Sequence, residues 1–169
     1  MEVAGNVCTL KSVQRFYDRA AVVAQRQRWK EEGKAVVFTN GCYDLLHPGH
    51  IRLLEQARSL GDVLILALNS DASVRRMKGP SRPLISENER AEMALALESV
   101  DAVTLFDEDT PRELIAEVLP DVLIKGADWA HFVAGREEVE AAGGTVRTVP
   151  LEPGYSTTNI VDLIVSHQP

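Results

Sequence analysis

The sequence predicts an α/β fold: a parallel sheet of about five strands flanked by helices, in a single domain. Three observations predict it. Short β-rich runs alternate with segments of helical periodicity, the pattern of strands joined by crossover helices. Capping signals stand at the starts of several helical segments. The 169 residues, 45% apolar and 25% charged, have the length and balance of one globular core.

The elements follow in order. Residues 12–32 read as a mixed polar and apolar helical stretch ending in Glu31-Glu32-Gly33, so residues 1–34 are expected to form an N-terminal helical extension packed on the core, with no catalytic role. Ala35–Thr39 and Val63–Leu68 are the first two strands. Between them Ile51, Leu53, Leu54, Ala57 and Leu60 recur at helical spacing, and Gly61 is the stop. Ser86-Glu87-Asn88-Glu89 has the form of a capping box and opens a helix that carries Met93 and Leu95. Ala102–Phe106 is the third strand. Thr110-Pro111-Arg112-Glu113 starts another helix, with Pro111 suited to its first position. Strands at Val122–Ile124 and Thr145–Val149 enclose a short helix, Glu137 to Ala142, closed by Gly143-Gly144. A last helix starts around Ser156 to Asn159.

Eighteen basic against twenty-five acidic residues give a formal charge of −7, which disfavours broad binding to nucleic acid. Any site for an anion must then be local, built from a few basic side chains and oriented N–H groups. The N-terminus lacks the basic start and apolar run of a secretion signal, and Val63–Leu68 is too short to span a bilayer. A cytoplasmic location without membrane contact is expected. Cys8 and Cys42 do not form a Cys-x-x-Cys pair, so both are read as reduced thiols.

The segment from Thr39 to His50 carries the chemistry. It lies between a strand and a helix, and open α/β sheets bind ligands at the carboxyl ends of their strands. Gly41 allows close backbone approach to a phosphate, while Pro48 and Gly49 turn the chain so that His50 enters at a helix N-terminus, where free N–H groups and the helix dipole face an anion. Metal ligation by His47 and His50 is a rival that needs a third ligand, for which Asp44 is available. The Gly-containing turn suits phosphate better, and no protein metal site is expected.

His47-Pro48-Gly49-His50 resembles the His-x-Gly-His signature of the nucleotidyltransferase superfamily, in its cytidylyltransferase-like branch. Asn40-Gly41-Cys42-Tyr43-Asp44, Asn69-Ser70-Asp71, Arg75 to Gly79, Arg90, Lys125-Gly126 and Ser156 to Asn159 follow in the expected order. Phe38 to Cys42, Ser70 to Arg76 and Phe106 to Pro111 resemble the adenylyltransferase half of bacterial ADP-heptose synthases, over roughly residues 10 to 166. The resemblance implies a Rossmann-like nucleotidyltransferase domain at residues 35–169. It also implies transfer of an adenylyl group from ATP to D-glycero-β-D-manno-heptose 1-phosphate, giving ADP-heptose and pyrophosphate for lipopolysaccharide core assembly. No kinase half precedes the domain in this sequence, so a separate enzyme is expected to phosphorylate the sugar.

The same resemblance implies the site. His47 and His50 contact the triphosphate around its α-phosphate, Lys78 comes from a mobile loop to hold phosphate oxygens, and Arg90 holds the β- and γ-phosphates. Thr39, Asn40, Gly41, Gly49, Lys125, Gly126, Ser156, Thr157 and Thr158 form the nucleotide cradle. Asn69 and Asp128 face the acceptor, and Asp44 either binds the acceptor through the acceptor's hydroxyls or orients a histidine. Without the resemblance, Arg90 reads as an ordinary exposed helix residue and Lys78 as a solvated one. Mg2+ accompanies ATP through water and substrate oxygens, and a homo-oligomer, a dimer or larger, is implied.

Glycerol-3-phosphate cytidylyltransferase is the nearest rival, sharing His-x-Gly-His and Ser-Thr-Thr. This sequence has Ala127 where that branch has a carboxylate in Gly-Asp-Asp-Trp, and Leu151 where it has an arginine, both of which count against CTP. Trp129 stands where the heptose branch commonly has Tyr. An FAD synthetase-like acceptor and a non-catalytic nucleotide-binding module are the other readings. A tRNA-synthetase fragment and a dinucleotide oxidoreductase are excluded, because Lys-Met-Ser-Lys-Ser and Gly-x-Gly-x-x-Gly are both missing.

Overall fold

Six parallel strands form one sheet in a computed structural model that describes residues 15–127, 132–150 and 154–167. They are β1 (Phe16–Tyr17), β2 (Val36–Gly41), β3 (Val63–Asn69), β4 (Ala102–Phe106), β5 (Val122–Gly126) and β6 (Thr145–Val149), in the order β1-β4-β3-β2-β5-β6. The described helices are α1 (Arg19–Glu31), α2 (Pro48–Arg58), α3 (Asp71–Lys78), α4 (Glu87–Leu95), α5 (Arg112–Val118), α6 (Arg136–Ala141) and α7 (Thr157–Ser166).

The central strands are apolar on both faces because helices cover both faces. All seven residues of β3 are buried, and the strand period of two splits them between two cores. Val63, Ile65 and Ala67 join Phe38, Leu114, Ile115 and Val139 beneath α1, α5 and α6. Leu64, Leu66 and Leu68 join Leu54, Ala57, Ala91 and Leu95 beneath α2 and α4. This double burial makes the β-rich runs so uniformly apolar in the sequence.

Several boundaries differ from the sequence expectation. A sixth strand, β1, pairs with β4 at the sheet edge, and two residues carry no period from which to read it. With α1, which buries Val22, Arg26 and Trp29, it ties the segment before residue 35 into the same sheet and core. Arg26 pairs with Asp121 at 3.0 Å, and Asp121 also accepts the Val36 N–H at 2.7 Å. β2 runs on through Asn40 and Gly41, and β5 through Lys125 and Gly126, because both remain in the sheet beyond their last apolar residue. Residues 71–78 form a helix, α3, capped by Ser70, whose hydroxyl accepts the Ser73 N–H at 3.0 Å. Its charged sequence, rich in arginine, hid the helical period. Pro111 is the N-cap of α5 rather than its first residue.

The chain moves outward from β2 to β3 and β4, then returns past β2 to lay down β5 and β6 on its other side. The connections leaving β2 and β5 therefore diverge to opposite sides, which opens a crevice at their carboxyl ends.

Candidate active site

β2 delivers its last residues to that crevice under close restraint. The Thr39 hydroxyl donates to the Ile124 carbonyl at 3.1 Å, both groups buried, and Lys125 Nζ donates to the Asn40 carbonyl at 3.4 Å. Beyond Gly41 the chain bends through Tyr43, a non-glycine residue at φ 48°. A Cβ on Gly41 would lie 2.9 Å from Tyr43 Cε2, so the bare α-carbon at 41 is what lets this ring fold back over the strand end. The Tyr43 ring then packs on His50, with centroids 4.6 Å apart.

His47 is the N-cap of α2 and Pro48 its first residue. His47 Nδ1 accepts the His50 N–H at 3.3 Å, which leaves Nε2 as the ring nitrogen that carries a proton in the neutral form. The two imidazoles stack at 3.7 Å and 15°. A Cβ on Gly49 would lie 3.1 Å from His47 Nδ1 and 3.2 Å from Tyr155 Cβ, so glycine leaves room for the ring. Burial pushes the His50 pKa down to about 4, helped by the charges of His47 and Lys78 and opposed by the Leu45 backbone. Burial lowers His47 as well. Both are neutral N–H donors at pH 7 before an anion arrives.

The crevice is a cavity of about 390 Å³. Thr39, Asn40, Gly41, Gly49, Lys125 and Gly126 line it from the strand ends and the α2 turn. His47 and His50 line it too, and Asn69 does so from the end of β3. Ser156, Thr157 and Thr158 close one side at the start of α7, where the Ser156 hydroxyl caps the helix through the Asn159 N–H at 2.9 Å. Lys78 also faces the cavity, as the exposed last residue of α3 rather than part of a loop, with Gly79 following at φ 94°. A shallower groove on the outer side of α2, around Pro48, Ile51 and Glu55, lies away from the strand ends.

Arg90 and Asp44 stand differently from expectation. Arg90 is 1% exposed and does not line the cavity, so the reading of an exposed helix arginine is corrected. Its guanidinium donates to the carbonyls of Cys42 (2.6 Å), Asn69 (2.8 Å) and Ile85 (3.0 Å) and to the Asp71 carboxylate (2.9 Å). Asp44 borders the cavity, yet its carboxylate is turned to the protein, accepting the Leu84 and Ile85 N–H groups at 2.8 and 3.1 Å and lying 2.6 Å from Arg82 Nε. Asp128 lies outside the described residues, as do Trp129 and Leu151. Asn69 spends its amide on the Ser73 hydroxyl at 3.0 Å while keeping its place in the wall.

Sequence reasoning missed the aromatic and apolar parts of the wall. Tyr155 lies 6.2 Å from the His47 ring, and Phe106, Pro111, Met77 and Phe132 also line the cavity. An aromatic residue just before the helix cap at Ser156 was the available signal for Tyr155. Phe132 follows four undescribed residues and had none.

Among the described residues, no group of three His, Cys, Asp or Glu side chains could hold a metal ion. The two carboxylates that line the cavity are engaged, Asp44 with Arg82 and Asp109 with Arg76 at 3.2 Å. The described side chains thus offer no cage for a divalent cation. No helix among the described residues is long and apolar enough to cross a membrane.

The Cytidylyltransferase-like family model matches residues 38–163. Bifunctional protein HldE of Syntrophotalea carbinolica is 57% identical over 137 residues, covering 80% of this chain and 28% of that protein. The HldE of Methylobacillus flagellatus is 49% identical over 164 residues, covering 96% of this chain and 32% of the relative. The chain therefore spans about a third or less of the length of these relatives. The crystal structure of the lipopolysaccharide core biosynthesis protein from Thermoplasma volcanium is 31% identical, with a TM-score of 0.57 over 71% of this chain and 98% of that one. The pantoate-beta-alanine ligase of Francisella tularensis, at 14% identity and a TM-score of 0.58, shares the fold over 86% of this chain and 75% of its own. With the strand-end cavity and the histidine pair inside the matched span, the chain belongs to the cytidylyltransferase-like nucleotidyltransferases.

Proposed function

We propose that this chain transfers the adenylyl group of ATP to D-glycero-β-D-manno-heptose 1-phosphate, releasing pyrophosphate and forming ADP-heptose for lipopolysaccharide core assembly. One observation carries the reading. His47 and His50, the N-terminus of α7 and Lys78 converge on one cavity at the carboxyl ends of the strands, which is a site for a polyanion. The identity with the HldE relatives supports the acceptor.

In the reaction a phosphate oxygen of the sugar phosphate attacks the α-phosphorus of ATP, a new P–O bond forms, and the bond to the bridging α–β oxygen breaks, so pyrophosphate leaves with the electron pair. The nucleophile is already an anion, so no side chain need attack or take up a proton. The protein's work is to align two anions and stabilise charge on the α-phosphate. The neutral imidazoles of His47 and His50 donate N–H to the α-phosphate region. Lys78 holds phosphate oxygens, and the backbone around Gly41, Gly49 and Gly126 with the Ser156 to Thr158 turn cradles the rest. Asn69, and Asp128 from its position in sequence, are assigned to the acceptor side. Arg90 acts from behind the wall, and Asp44 acts from the cavity's border with its carboxylate turned to the protein.

Mg2+ accompanying ATP would be held mainly by substrate oxygens and water and would supply charge neutralisation at the phosphates. The working protein is a cytoplasmic homo-oligomer without nucleic-acid or membrane partners, and residues 35–169 form its catalytic domain.

A matrix of nucleoside triphosphates against phosphorylated acceptors, read by pyrophosphate release, tests the reading. ATP with heptose 1-phosphate should give the highest kcat/KM. Turnover only with glycerol 3-phosphate or a flavin acceptor would overturn the assignment, and no turnover with any pair would leave a nucleotide-binding module.

A further inference from the structure

The main chain of Ile85 is held on both sides by buried charges. Its N–H donates to Asp44 Oδ1 at 3.1 Å, and its carbonyl accepts from Arg90 Nε at 3.0 Å. The Leu84 N–H shares the same Asp44 oxygen at 2.8 Å. The other Asp44 oxygen lies 2.6 Å from Arg82 Nε, an ion pair with its N–H aimed off the axis. Arg90 returns to the first loop through the Cys42 carbonyl at 2.6 Å. Asp44 and Arg90 are each 1% exposed, so both charged groups lie within the protein.

Two segments are joined in this way. One is the loop of residues 42–44, which leads directly to His47 at the cap of α2. The other is the segment 82–85, which follows Lys78 across Gly79, a residue at φ 94° with open space around its α-carbon. The Asp44 contacts hold residues 82–85 to the histidine loop, and within the turn the Arg82 N–H donates to the Gly79 carbonyl at 3.2 Å. A carboxylate is the group the arrangement needs. It accepts two N–H donors on one oxygen and meets a guanidinium with the other, whereas an amide would turn its own donor toward Arg82 in one of its two orientations.

We infer that Asp44 is a positioning residue, which with Arg82 latches the segment behind Lys78 against the histidine loop and so fixes Lys78 over the triphosphate. The role rests on the nucleotide-site reading above. It gives Asp44 a task distinct from contact with the acceptor, and it explains why Arg82, although basic and close to the site, is already neutralised by a partner.

The test is a double-mutant cycle on the full chain, with kcat and both KM values measured for Asp44→Asn, Arg82→Gln and Lys78→Ala, alone and combined. Asp44→Asn and Arg82→Gln should each lower kcat on the order of 10- to 100-fold, the cost of a slightly misplaced group, with the acceptor KM changed by less than about threefold. In a Lys78→Ala background, itself expected to lower kcat more than ATP binding, either change should cost no more than about threefold further, because both act through Lys78. Arg82→Lys should recover part of the loss, and the Leu84 and Ile85 amides should lose hydrogen-exchange protection in Asp44→Asn. Additive losses would overturn the latch, as would an acceptor KM that rises in Asp44→Asn with kcat unchanged. Lys78→Ala with wild-type turnover would overturn the nucleotide-site role of Lys78, and the latch with it. Arg82→Gln leaves both amide partners of Asp44 in place, so it carries the cycle if Asp44→Asn does not fold.

Discussion

His47 and His50 stack face to face, ring centroids 3.7 Å apart, while His47 Nδ1 caps the N–H of the residue whose ring it covers. One ring thus orients the backbone and the other ring together. Replacing His50 removes a donor from the α-phosphate region without removing the cap, since the cap uses the His50 main chain. His50→Ala should keep the far-ultraviolet dichroism of the wild type while turnover falls on the order of 100-fold or more, the usual cost of one transition-state donor. Near-wild-type turnover in a pyrophosphate-release assay would remove His50 from the chemistry.

The buried His50 also makes a prediction about acid. Its pKa lies at about 4 in the folded chain, below the ordinary histidine value of 6.5, so the unfolded chain takes up the proton first as pH falls. The stability that neutral His50 permits is fully present above about pH 6.5 and is lost progressively as pH falls through the folded value near 4. Thermal melts of the ligand-free protein between pH 7 and pH 4 should show a steeper fall in Tm for wild type than for His50→Gln. A bound triphosphate should raise the His50 pKa, because a nearby anion favours imidazolium. An NMR titration of the ring that gives the same midpoint with and without a non-hydrolysable ATP analogue would place the triphosphate away from His50.

Arg90 makes a prediction about stability. Its buried guanidinium satisfies three main-chain carbonyls and Asp71, which Arg75 approaches only to 4.0 Å. Arg90→Leu should cost about 3 kcal/mol or more, because it strands those acceptors rather than merely deleting a charge. For a chain of this size that is a fall in Tm of roughly 6–12 °C. A variant with unchanged Tm and a raised KM for ATP would show that Arg90 turns out to the phosphates instead.

Nucleotide choice follows from side chains that the sequence lacks. Ala127 has no carboxylate to accept from a base edge, and Leu151 has no guanidinium to donate to one. A cytosine-reading site would leave polar groups unpaired with the wrong base, which matters more than lost apolar contact. With heptose 1-phosphate as acceptor, kcat/KM for ATP should exceed that for CTP by at least about tenfold. Equal use of the two would overturn adenylyl transfer while leaving nucleotidyl transfer intact.

Much of the site was legible because its residues lie in unbroken local runs. His47-Pro48-Gly49-His50 encodes its own turn and cap, and Ser156 to Asn159 encodes a helix start. Arg90 was not legible. Its neighbours Glu87, Asn88, Glu89 and Glu92 are polar, so its position in the helix reads as solvated, and only the distant carbonyls of Cys42 and Asn69 reveal its burial. Asp44 was ambiguous for the same reason, since Leu84 and Ile85 are 40 and 41 residues away.

The sequence by itself determined the alternation of strands and helices and the capped turn from His47 to His50, because periodicity and capping act over a few residues. Only the tertiary structure decided the order of the strands, the sixth strand at the edge, and which charged groups face the cavity and which face the protein. Those outcomes depend on contacts between residues far apart in the chain, such as Phe16 with Val103 across the sheet edge and Asp44 with Arg82 at the cavity's border. A local pattern can show that a residue is charged, but its partner is fixed only when the sheet brings the two segments together.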